Sequence, residues 1–172
     1  MQLKPQDLLV TLKLTVLSDQ AWRYAGLADS LGMGQGEVHA AVKRALQAGL
    51  LVAEHSHPVP MRRNLMELLA HGIRYVFVPD RGELTRGIPT AWAAPPLADR
   101  ISSEEWAVPV WPCPEGQVRG ESFSPLYRSV PVAARNDPRL YEALALVDAI
   151  RGGRSRERKM AVELLHQTIG ST

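Results

Sequence analysis

Ten of the chain's 13 prolines fall between Pro79 and Pro138. A proline inside a helix removes a backbone donor and clashes with the preceding turn, so no long helix can cross that stretch. The chain therefore divides into an N-terminal part of residues 1–80, a middle of 81–135 and a C-terminal segment of 136–172. The middle also carries Trp92, Trp106 and Trp111. Proline with aromatics is unlike the Gly/Ser composition of flexible linkers. It reads as an irregular segment that its tryptophans either staple to the core or, with Thr85–Trp92, build into a ligand pocket.

The two ends carry helical periodicity. Pro5 suits a first helical turn, and Leu8, Leu9, Leu12 and Val16 mark one apolar face. A short helix is expected over Tyr24–Leu31, ended by Gly32, which tolerates the left-handed cap conformation. Met33–Gly36 makes the turn. A further helix over Gln35–Ala48 turns Val38, Val42, Ala45 and Leu46 inward and stops at Gly49. Leu50–Ala53 reads as a strand, and His55–Pro60, with two prolines, as a loop. Leu65, Met66, Leu68 and Leu69 predict a helix ended by Gly72. Arg74–Val78 is β-branched and aromatic and predicts a strand closed by a turn at Pro79–Gly82. Asp137 and Pro138 form a helix start, with Leu140, Leu144, Val147 and Ile150 behind it. Gly152–Gly153 breaks that helix before a last one over Arg154–Ile169. The expected fold class is mainly α with a small β component.

Composition narrows the function classes. Hydrophobic residues form 45% of the 172, enough for a core, and the formal net charge is only +2. Near-neutrality does not exclude DNA binding, which depends on where the positive charge lies. A single cysteine, Cys113, cannot form an intrachain disulfide and argues against a Cys-based zinc site. The N-terminal residues lack the apolar core of a signal peptide. No stretch approaches the roughly 18 apolar residues of a membrane span. A soluble, cytoplasmic protein is expected.

Phosphate-loop, nucleophile-elbow and zinc-protease motifs are absent from the sequence. His55 and His57 lack a third ligand at useful spacing, and Cys113 lies between prolines with no histidine near it in sequence. The expectation is a protein that is not an enzyme and uses no metal and no cofactor.

The most informative stretch is Tyr24–Leu51, YAGLADSLGMGQGEVHAAVKRALQAGLL. A short helix, a tight turn, a second helix and an abrupt Gly-Leu-Leu stop are the parts of a helix-turn-helix. Leu27-Ala28, Leu31-Gly32, Val42-Lys43-Arg44-Ala45-Leu46 and Ala48-Gly49-Leu50-Leu51 resemble the winged helix-turn-helix of MarR-like bacterial regulators. The whole architecture is more loosely similar to DNA-binding antitoxins of the AbiEi type. The likeness covers about a sixth of the chain. It departs from the pattern at Gly34-Gln35-Gly36, where Ser or Thr is usual, and at Ala45, where Leu is usual.

The resemblance implies a transcriptional repressor that binds double-stranded DNA as a homodimer. It places the helix 35–48 in the major groove, with Gln35, Glu37, His39, Ala40 and Lys43 toward base edges. Arg44 and Gln47 would then lie nearer the phosphates, and Arg62 and Arg63 on the backbone beside the wing. Arg154, Arg156, Arg158 and Lys159 form a second basic run, suited to phosphate, to a partner or simply to water. The other class in view is a protein-interaction module, an antitoxin or adaptor that uses the same fold to bind a partner protein encoded in its operon.

Overall fold

The computed structural model describes residues 1–55, 57–102 and 107–170. It is mainly helical with small sheets. Helix α1 (Pro5–Leu17) is buried from Asp7 to Val16. Its two buried threonines satisfy themselves locally: the Thr11 and Thr15 hydroxyls each donate to the carbonyl one turn back at 2.8 Å. Helices α2 (Tyr24–Leu31) and α3 (Gln35–Gln47) follow. The turn between them begins at Gly32, with φ +62°, and a Cβ there would lie 2.9 Å from the Val132 side chain. Both the backbone conformation and the space therefore call for glycine. Gly49, at φ +72°, ends α3 and lets Leu50 re-enter the core.

Strands β1 (Leu51–Glu54) and β2 (His57–Pro60) form an antiparallel hairpin, pairing Leu51 with Pro60 and Glu54 with His57. The sequence reading makes residues 55–60 a loop because of Pro58 and Pro60, and the structure corrects it. The Met61 N–H donates to the Leu50 carbonyl at 2.9 Å, which fixes the parity of the ladder. Alternate residues of an antiparallel pair exchange bonds. Two prolines spaced by two both fall on the other parity, where no donor is needed.

Helix α4 (Arg62–His71) forms as the sequence predicts. The strand expected at residues 74–78 does not form; Ile73–Val76 is a single helical turn, α5. The burial of Ile73 decides the matter, leaving Tyr75 and Val76 in water. Local β-propensity yields to one core contact.

The middle is also more regular than expected. Strands β3 (Arg81–Pro89), β4 (Pro109–Pro112) and β5 (Val118–Phe123) close into a small barrel. β3 pairs antiparallel with both others, and β4 runs parallel to β5. Arg81–Gly82, read as a turn, opens β3. Glycines make so tight a closure possible. A Cβ on Gly87 would lie 2.0 Å from the Trp111 carbonyl oxygen, and one on Gly120 would lie 2.1 Å from that of Val108. Trp111 is wholly buried, as the stapling reading requires, while Trp106 lies outside the described residues.

Helix α6 (Val130–Asn136), also inside the segment expected to be irregular, precedes α7 (Pro138–Gly152) and α8 (Ser155–Thr168). Asp137 caps α7 by accepting from the Arg139 and Leu140 amides at 3.0 and 3.2 Å. One buried cluster joins Leu12 and Val38 to Leu65, Trp111, Phe123, Leu144 and Leu165. The three segments thus share a core.

Candidate nucleic-acid interface

Helix α3 has two opposed faces. Val38, Ala41, Val42 and Ala45 are buried and seat it on α1 and α2. Gln35, His39, Lys43 and Gln47 are exposed, and their spacing of four places them in one stripe along the helix. Ala40 is half-buried beside the stripe. The stripe offers two amides, an imidazole and an ammonium, groups able to pair with base edges.

An aromatic run links this stripe to the hairpin. His39 stacks on Tyr24 with centroids 3.6 Å apart and planes 15° off parallel. Tyr24 meets Trp22 edge-on at 5.2 Å, and Trp22 lies 5.3 Å from His57 on β2. Trp22 also walls an open cleft of about 680 Å³, bordered by Arg23, Gly26 and His57. The sequence reading assigns no role at the site to Trp22, Tyr24 or His57. The one available signal is the pair of aromatics at the start of α2, Trp22 just before it and Tyr24 at its first position.

The remaining residues proposed from sequence are placed differently. Glu37, in the first turn of α3, accepts from the Tyr127 hydroxyl at 2.6 Å, from Arg128 at 2.8 Å and from the Gly34 amide at 2.8 Å. The Tyr127 bond first, then the Gly34 amide and the Arg128 charge, hold its carboxyl below the ordinary range against some desolvation. Arg44 turns inward onto Asp7, which is fully buried. Its Nε and Nη2 reach the two carboxylate oxygens at 2.7–3.0 Å. Arg62 donates to the Ile169 carbonyl at 2.9 Å. Arg63 stays in water, 3.4 Å from Glu67 one turn on.

Of the C-terminal run, Arg154, Arg156 and Lys159 are exposed. Arg158 closes the end of α7 by donating to the Gly153 carbonyl at 2.8 Å. The structure thus brings Gln35, His39, Lys43 and Gln47 together. It holds Glu37, Arg44 and Arg62 in internal contacts and sets the C-terminal cations on another helix.

No helix among the described residues is long and apolar enough to cross a membrane. The chain matches no protein-family model, no curated protein and no solved structure.

Proposed function

We propose that the chain is a sequence-specific DNA-binding regulator of the winged helix-turn-helix kind, acting as a homodimeric repressor. The observation that carries this reading is the stripe Gln35–His39–Lys43–Gln47 on the outward face of the second helix of a tightly turned pair. In this reading α3 enters the major groove. Gln35 pairs with adenine and Lys43 with guanine, and β1–β2 serves as the wing. Arg23 and Arg63, both exposed, supply phosphate contacts. Arg44 and Arg62 act indirectly, by holding α3 and α4 in place.

A second reading keeps support from a specific observation. Two cations expected on the DNA side, Arg44 and Arg62, are bound internally, and Glu37 puts an acid at the leading end of α3. A surface with so few outward cations also suits a protein partner, as in an antitoxin or adaptor.

Selection of random duplexes on the purified protein separates the two. A DNA reader enriches one recurring, two-fold symmetric motif. A pool that stays random after repeated rounds contradicts the regulator and favours the partner protein.

A further inference from the structure

The outward face of α3 has a border. Glu37, Ala40 and Arg44 are half-buried, and their spacing of three and four sets them in one row along the helix. At the first of them the C-terminal half of the chain reaches the helix. The Tyr127 hydroxyl and an Arg128 Nη both donate to Glu37 Oε1, at 2.6 and 2.8 Å. The segment is held beside the helix pair at two further points. Val132 lies over Gly32 in the turn, and the Asn136 amide donates to the Ser30 carbonyl at 3.1 Å. Arg128 therefore travels with α3. Its side chain is 74% exposed and stands over the Tyr127 ring at 5.4 Å. Of its five N–H donors, one is bonded to Glu37, and most of the fork faces water.

We propose that Arg128 grips a DNA phosphate beside α3 while it stays bonded to Glu37. A helix is about 10–12 Å across with its side chains, and the major groove is about 12 Å wide. A helix in the groove thus has sugar-phosphate backbone along its borders, and Arg128 stands on one of them. A guanidinium suits phosphate bidentately, and here it also lies between the strand and the like charge of Glu37. No comparable geometry brings the charges of an acidic protein to the same border. The inference rests on the regulator reading and extends its DNA surface to the second half of the chain.

The test measures binding of the full chain to the DNA upstream of its own gene and to a scrambled duplex across a salt series. Arg128→Ala should weaken both duplexes about tenfold at low salt. It should also lower the slope of log K against log salt by about one. Arg128→Lys keeps the charge and should keep the slope, a readout that a merely structural role for Arg128 would not move. Sequence-selective binding whose slope is unchanged by Arg128→Ala overturns this contact alone. A slope that falls without any preference between the duplexes keeps the contact and sinks the regulator reading. A wild type that binds neither duplex overturns both and favours an acidic protein partner.

Discussion

The α1–α3 region and the β3–β5 barrel are each anchored by one buried carboxylate, but in different solvent. Asp7 sits beneath α3 and takes the Lys4 amide and the Arg44 fork, and the Arg44 side chain is still 15% exposed. Asp148 lies inside α7. It collects the Thr90 hydroxyl at 2.7 Å, the Trp111 indole N–H at 2.6 Å and Arg151 at 2.6 Å, all buried. Water can partly replace a lost partner of Asp7, whereas nothing replaces the acceptor at Asp148. The first anchor tunes how α3 is presented, and the second decides whether the barrel docks at all.

The difference is measurable. Asp148→Ala takes the acceptor from the Thr90 hydroxyl and the Trp111 indole. It leaves the buried Arg151 without its counter-charge, with only the Phe77 and Ser124 carbonyls to donate to, and should cost about 3–5 kcal/mol. Thermal melts should fall by roughly 10 °C for a chain of this size. Arg44→Ala leaves Asp7 facing a gap that water can enter, so urea titration should find a smaller loss of about 1–3 kcal/mol. If the two losses come out equal, the contrast between a rim anchor and an interior one is wrong.

The smallest stability effect is a pH slope. Glu37 has a folded pKa below its ordinary 4.5, set first by the Tyr127 bond. A depressed acid contributes stability that is fully present above its unfolded pKa and is lost as pH falls through the folded one. Melting temperature between pH 5 and pH 3 should therefore fall less steeply in Glu37→Gln than in the wild type. Parallel curves would remove the ionic role assigned to Glu37.

The same two regions differ in how far they can be read from sequence. α2, its turn and α3 are legible because each boundary is local: Gly32 and Gly49 take positive φ, and the apolar positions repeat along one helix. The start of α7 is legible for the same reason, through Asp137 and Pro138. The barrel is not, because its strands owe their pairing to residues far away. Nothing near Gly87 and Gly120 in sequence announces the distant carbonyls they must admit. Pro58 and Pro60 read as a loop until the ladder parity is known. Within the candidate site the outward stripe follows from helical spacing alone. The inward turn of Arg44 to Asp7 and of Arg62 to Ile169 depends on acceptors in α1 and at the C-terminal end, which no local pattern announces.

The most direct test of the central claim compares binding to the DNA upstream of the protein's own gene with binding to a scrambled duplex, at two salt concentrations. Lys43→Ala and Arg63→Ala are run alongside. Both substitutions are at exposed positions and should change stability by less than about 0.5 kcal/mol. The account predicts at least about a hundredfold preference for the upstream DNA. Lys43→Ala should erode that preference, whereas Arg63→Ala should weaken both duplexes alike and lower the salt slope by about one. Equal, weak binding to both duplexes, unmoved by Lys43→Ala, would contradict a reading helix at α3.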